Sequence, residues 1–235
     1  MVPIDRLESL RAKCPSKATQ GFVLLASIFI AVLLLTNVIT VKYFSLGGQF
    51  TLTAGAITYP FTFSLVDIIS EHYGPKKAQL AVWMGLVGSL LMTVVLQFAS
   101  QLPACAQSPV DQTTFQLIFG FTPGIVLGSM VAYLAAQFTD IYLFDWTRKR
   151  TQNKHLWLRN NVSTLISQLI DTLLFGLIAW EVGPFFVWDD AVAPLPWSAW
   201  YQIMINEYVF KVIFTILNTP LVYWGVYSTK HWGER

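Results

Sequence analysis

Five ionisable side chains stand inside stretches that are otherwise apolar: Asp67, Asp140, Asp171, Glu207 and Lys211. At the centre of a bilayer each costs roughly 2.5–3.5 kcal/mol on insertion scales. Five unpaired groups would cost on the order of 12–17 kcal/mol, about the whole net stability of a typical protein. They must therefore be paired, protonated, close to an interface, or wetted by a cavity. Their chemistry is that of recognition and proton transfer: a carboxylate accepts two adjacent N–H donors, and intramembrane carboxylates mark solute or proton paths. Hydrolytic and metal chemistry are not signalled. The three histidines, His72, His155 and His231, are isolated, and no zincin, nucleophile-elbow or P-loop motif occurs. The expectation is a protein that is not an enzyme, carries no metal or cofactor, does not hydrolyse ATP and binds no nucleic acid.

Spacing arranges these groups into faces. Asn161, Thr164, Gln168, Asp171 and Thr172 fall within an arc of about 100° on a helix. A polar stripe on a membrane helix must face protein or water. Asp171 lies about 15 Å into its span and reads as part of a solute or proton path, with Gln168 beside it. Glu207 and Lys211, four residues apart, form either a self-neutralised pair or two separate contacts, with Lys211 reaching Asp171 and Glu207 left for a ligand. Pro60, Phe63, Ser64, Asp67 and Glu71 share another face, which sets an aromatic ring beside a carboxylate. Depth separates two groups. Asp171, Gln168, Glu207, Asp67, Asn37, Lys211 and Phe63 are the candidate substrate-binding residues, and Tyr59 lies near them. Glu71, Gln137, Asp140, Arg159, Asn160, Asn161 and Thr164 are the candidate polar network on the inner side, with Arg159 expected to hold a carboxylate.

Six apolar segments must position these residues: approximately 21–41, 53–72, 78–100, 121–144, 161–186 and 200–227. The chain of 235 residues is 54% hydrophobic and 12% charged, where soluble domains average about 25% charged. The expected fold class is an all-α membrane protein, a six-transmembrane-helix bundle, with a basic tail at 1–20, the bundle at 21–227 and a second tail at 228–235. Thirteen of the fifteen Lys and Arg fall in the two tails and the 72–77 and 145–160 loops. By the positive-inside rule both termini are then cytoplasmic. That places Cys14 and Cys105 on opposite sides, unable to pair. The leader is longer and the first apolar run larger than in a signal peptide, so the first span is expected to be retained. Glycines at 47, 48 and 55 predict a short or broken helix before Pro60, and 74–75 a sharp stop.

Three stretches occur in order: YPFTFSLVDIISEHYG at 59–74, AQFTDIYLF at 136–144, and LWLRNNVST at 156–164 followed by Gln168, Asp171 and Thr172. Together they resemble the queuosine precursor transporter family of the bacterial inner membrane, over about residues 30–230. The resemblance implies import of 7-deazaguanines such as preQ0, preQ1 or queuine for tRNA modification. It also implies a distant likeness to the six-helix substrate-binding subunits of energy-coupling-factor transporters. A 7-deazaguanine presents N1–H and an exocyclic NH2 side by side, which one carboxylate can accept together. The order of preference for that carboxylate is Asp171 with Gln168, then Glu207, then Asp67. Two other readings stand beside transport by the chain alone. One is a binding subunit that docks an energising partner through the basic 145–159 surface or a glycine face, Gly85 with Gly88 or Gly124 with Gly128. The other is a non-transporting bundle embedded in lipid. A homodimer is compatible with each.

Overall fold

The computed structural model describes residues 16–40, 42–46, 50–119, 123–152, 154–181 and 196–228. Among these are helices α1 (Lys17–Ile39), α2 (Gly55–Tyr73), α3 (Pro75–Gln101), α4 (Gln112–Phe119), α5 (Pro123–Arg150), α6 (Leu156–Glu181) and α7 (Trp197–Ser228). Strands β1 (Tyr43–Leu46) and β2 (Phe50–Thr53) form an antiparallel hairpin between α1 and α2. The chain is an all-α membrane protein, and α1, α3, α6 and α7 each contain a stretch long and apolar enough to cross a bilayer. Most of the basic 1–20 tail with Cys14, the Asp189, Asp190 and Pro194 loop, and residues 229–235 lie outside the described residues. So do the surroundings of Gly124.

Local signals set the helix ends. Ser16 caps α1, its hydroxyl accepting from the Thr19 amide at 3.2 Å. Gly74 adopts φ 81° between α2 and α3, a conformation that favours glycine, and Pro75 opens α3 where its missing N–H costs nothing. The short or broken helix expected before Pro60 is not what forms. The preceding stretch is the hairpin, with Tyr43 opposite Thr53 and Leu46 opposite Phe50. Aromatic and threonine-rich runs on either side of two glycines favour strands there. The helix that follows runs through Pro60 without interruption. Pro60 lies in its second turn, where its missing N–H removes one backbone bond, to the Ala56 carbonyl. The loop expected after α3 contains the two-turn α4, and α5 extends six residues past Phe144.

The helices turn apolar side chains both inward and outward. Phe22, Phe29 and Leu33 of α1, Val66 and Ile69 of α2, Ala81 and Val82 of α3, and Ile141 of α5 form a packed core. Equally apolar residues point out: Val87, Leu91, Val94 and Phe98 on α3 and Ile216, Leu217 and Trp224 on α7 are all more than half exposed. The interior meanwhile holds Asp67, Gln137, Asp140, Arg159 and Gln168 at 1% exposure or less. Apolar outside and polar within is the distribution that lipid imposes. The turns at 74–75 and 151–155 carry Lys76, Lys77, Arg148, Lys149, Arg150 and Lys154, and this end of the bundle is called the basic end below. The hairpin lies at the other end.

Two of the glycines offered above as docking faces, Gly85 and Gly128, are used within the protomer. A Cβ on Gly85 would meet the Tyr133 hydroxyl at 2.8 Å and Leu33 and Phe29 at 2.9 Å, and one on Gly128 would collide with Ile178. Around Gly88 the nearest atom would be Ile30 Cγ2 at 3.4 Å. Replacing Gly85 by Ala should therefore destabilise by about 1–3 kcal/mol through overpacking. Gly88→Ala should be neutral or stabilising by up to about 1 kcal/mol, since Gly costs that much in a helix. Thermal unfolding in detergent compares the two, and equal melting temperatures would refute the packing assigned to Gly85.

Candidate functional site

Helices α1, α2, α3, α5, α6 and α7 and the hairpin meet around a cavity of about 310 Å3 towards the hairpin end. That is at the small end of the range for ligand pockets, roughly 300–1,000 Å3. Asn37, Tyr59, Tyr133, Asp171, Glu207 and Lys211 supply much of its polar lining, while Leu33, Leu86, Met92, Met130 and Phe175 supply apolar walls. The lining thus pairs apolar surface with a few fixed polar groups, the usual character of a small-molecule site.

Asp171 is fully engaged. Its Oδ2 accepts from Lys211 Nζ at 3.1 Å, and its Oδ1 accepts from the Tyr59 hydroxyl at 2.9 Å. Lys211 Nζ donates also to Thr172 Oγ1 at 3.1 Å and lies 5.3 Å from the centre of the Tyr59 ring. The alternative in which Lys211 crosses to Asp171 is therefore the one realised, and Glu207 is released from it. Glu207 Oε1 accepts from Thr53 Oγ1 of β2 at 3.0 Å. Its Oε2 has no partner among the described residues and is not sealed from the cavity. Asn37 donates through Nδ2 to Ser89 Oγ at 3.3 Å, which leaves its carbonyl oxygen turned to other contacts. Tyr133 donates to the Val82 carbonyl at 3.1 Å and braces the wall between α3 and α5.

Four of the seven candidate binding residues, Asn37, Asp171, Glu207 and Lys211, thus share one cavity. Phe63 is fully buried and stacks edge to face on Tyr59, with ring centres 5.4 Å apart, supporting the site from behind. Gln168 and Asp67 lie outside the lining, nearer the basic end. Both polar ends of Gln168 are buried without a partner, as are both ends of Gln137. Thr53, Tyr133 and Thr172 escaped the reading of the sequence. Thr53 could have been found by recognising the hairpin, whose second strand it ends; Thr172, adjacent to Asp171, had been placed on the polar stripe without a role.

The candidate inner network assembles beyond these glutamines. Arg159 Nη2 meets Glu71 Oε1 at 3.2 Å, and Arg148 Nη1 lies 3.9 Å from Glu71 Oε2. The guanidinium of Arg159 also covers the Phe144 ring at 5.4 Å. Arg159 thus chooses Glu71 among the three carboxylates open to it. Thr164 donates to Asp67 Oδ2 at 3.5 Å and Ser167 to Asp140 Oδ1 at 3.0 Å. Asn161 points another way, donating to the Trp157 carbonyl at 2.8 Å and Thr219 Oγ1 at 2.9 Å, and ties α6 to α7. Asn160 is buried with its side-chain oxygen unpartnered.

A polar cavity within an apolar-faced bundle is the construction of a membrane transport protein. Residues 53–225 match the family described as "Putative vitamin uptake transporter", and the chain belongs to that family. It is 34% identical over 188 residues to the "Probable queuosine precursor transporter" of Bacillus subtilis (strain 168), a match spanning 80% of this chain and 76% of that protein. It is 28% identical over 168 residues to the "Queuosine precursor transporter" of Escherichia coli (strain K12), over 72% of this chain and 69% of that protein. A Haemophilus influenzae relative, also named a "Probable queuosine precursor transporter", is 25% identical over 183 residues, 76% of this chain and 72% of its own length. No solved structure matches the chain.

Removing one partner of a buried ion pair leaves an uncompensated charge. Lys211→Met should cost about 3–5 kcal/mol, and Lys211→Met with Asp171→Asn should recover most of that loss. Tyr59→Phe should cost less, about 1.5–3 kcal/mol for one bond to a charged group. Melting temperatures across this mutant cycle check the assignment. Additive losses from Lys211→Met and Asp171→Asn would mean that the two side chains are not coupled.

Proposed function

We propose that the protein is a multi-pass importer of 7-deazaguanine queuosine precursors, resident in a bacterial inner membrane, that binds its solute in the cavity beside Glu207. The observation carrying this reading is a carboxylate oxygen free among the described residues, Glu207 Oε2, on a small, largely apolar cavity. The names of the relatives point to the same class of solute. Asp171 is committed to Lys211 and Tyr59, so the preference among the carboxylates passes from Asp171 to Glu207. In this reading Glu207 accepts N1–H and the exocyclic NH2, the Asn37 carboxamide meets another edge of the base, and the aromatic rings of Tyr59 and Tyr133 bound the flat faces. Asp171 and Lys211 hold the site's shape, and Gln168 meets the solute later in its passage. PreQ1 would add its aminomethyl cation to an already electronegative pocket, while preQ0 would bind through the base edge alone.

The same proposal extends to topology. Six spans are formed when α2 and α5 cross with the four long apolar helices, in a bundle similar to the substrate-binding subunits of energy-coupling-factor transporters. The basic end then faces the cytoplasm together with both termini, as the positive-inside rule requires. The solute enters from the hairpin side. No catalytic step is needed: the protein carries its solute unchanged. A dedicated energising subunit is the second reading, favoured by the exposed basic residues Lys149 and Arg150 at the end of α5. Uptake by cells that need an external precursor and express this chain without such a partner would exclude that dependence.

Binding of guanine, preQ0, preQ1 and queuine to the purified protein tests the site. Two hydrogen bonds to a charged acceptor are worth about 3 kcal/mol or more, so Glu207→Gln should weaken the preferred ligand by about a hundredfold. Asn37→Ala should weaken it by about tenfold, and both variants should melt near the wild type. Unchanged affinity in Glu207→Gln would remove Glu207 from the site.

A further inference from the structure

Between the cavity and the Arg159–Glu71 contact, two carboxyl groups lie within hydrogen-bonding reach of each other, Asp67 on α2 and Asp140 on α5. They are exposed by only 1% and 0%. Asp67 Oδ2 accepts from Thr164 and Asp140 Oδ1 accepts from Ser167, and the Ser163 and Thr164 hydroxyls also lie close to Asp140. The other two oxygens, Asp67 Oδ1 and Asp140 Oδ2, are buried without a donor. Two adjacent carboxylates cannot both remain charged in such a place, where like charges repel and neither is solvated. One proton held between them supplies the donor that both oxygens lack.

The surrounding charges leave this role to a proton. On α2 and α6 the nearest ionised neighbours are Glu71 and Arg159, which bind each other. Arg148 of α5 reaches Glu71 as well. Towards the hairpin end, Asp171 of α6 and Lys211 of α7 form their own pair, and Glu207 lies on the cavity. No described residue of α1 or α3 places an ionised side chain beside the pair: the charges of α1 and α3 are Lys17, Lys76 and Lys77, at their basic-end tips. Gln137 and Gln168 add an independent sign. Gln137 lies one turn from Asp140 on α5, and Gln168 is adjacent to Ser167 on α6. Both are at least 99% buried with both polar ends unpartnered. They form a polar step between the cavity and the pair, open to exchange hydrogen bonds with a passing solute or proton.

We propose that the Asp67–Asp140 pair is a proton-binding site that couples solute import to a proton gradient. The pair takes up one proton when open to the hairpin side and releases it at the basic end, with no other bond made or broken. This rests on the transport reading above and adds the driving force to it.

The test uses the full-length protein reconstituted in liposomes, with the uncharged preQ0 as solute and the membrane potential clamped at zero. An inward proton gradient of about one pH unit should drive up to about tenfold accumulation in the wild type. Asp140→Asn and Asp67→Asn mimic the protonated state. They should still exchange internal for external preQ0, which needs no net proton movement, but should lose accumulation and only equilibrate. Asp140→Glu should restore part of the accumulation. Wild-type protein that equilibrates preQ0 but ignores the gradient, or that accumulates it only with a sodium gradient, would overturn proton coupling and leave the transport reading standing. Neither equilibration nor exchange in the wild type would sink both. Should the Asn variants fail to fold, the infrared spectrum of the wild type at neutral pH still decides the chemistry. A protonated carboxyl band is expected, and its absence contradicts the shared proton.

Discussion

The Asp171–Lys211 ion pair is the constraint from which the rest of the interior follows. Neither group can be left alone in a bilayer, and each lies on a helix long and apolar enough to span one. Their attraction fixes how α6 and α7 are rotated, because a small turn of either would carry a charge into lipid. Tyr59 joins the pair from α2 at 2.9 Å and brings a third helix to the same point. Once these three are placed, Glu207, one turn before Lys211, must face the same interior. The hairpin then closes over it through Thr53. A substrate-sized cavity with one free carboxylate oxygen is what this arrangement leaves behind.

Helices α2 and α6 meet along an antiparallel series of contacts. Tyr59 bonds Asp171, Asp67 accepts from Thr164, and Glu71 holds Arg159. The α2 partners recur at 59, 67 and 71, on a face that repeats every four residues. The missing member is 63, a phenylalanine, and at the corresponding level of α6 stands Gln168 with neither end satisfied. The series is thus interrupted between the cavity and the Asp67–Asp140 pair. A helix interface held by ionic and hydroxyl contacts at both ends but not in the middle has its weakest polar register between the cavity and that pair.

The spans and the polar residues within them were legible because lipid leaves little choice of composition. Any Asp, Gln or Lys in an apolar run has to face inward, so Asp67, Gln137, Asp140, Gln168, Asp171, Glu207 and Lys211 could be named from the chain alone. Which partner each takes could not. Lys211 lies one turn from Glu207 and across the bundle from Asp171, and only the relative rotation of α6 and α7 decides between them. Arg159 had three carboxylates in prospect for the same reason. The hairpin was obscured by its glycines, which read equally as a loosened helix. Thr53 was lost with it, although it holds the carboxylate that the cavity presents. Depth along the spans groups Gln168 and Asp67 with the binding residues. Counting residues from a span end fixes depth only to about a turn or two, and they lie one and two turns beyond the cavity.

Charge along the bundle axis then has a definite order. Asp171 with Lys211 is neutral, while Glu71 faces two cations, Arg159 and Arg148. Between these two contacts lie the Asp67–Asp140 pair and the unpartnered glutamines. Asp67 is one turn from Glu71 on the same helix, so a second negative charge at the pair would repel Glu71 and attract the two arginines. A proton at the pair removes that repulsion from Glu71. The ionic contact at the basic end and the carboxyl pair are therefore coupled through α2 by simple electrostatics, strongly because both are buried and poorly screened. Any opening of the basic end must separate Arg159 from Glu71. The state of the neighbouring carboxyls sets how much work that takes.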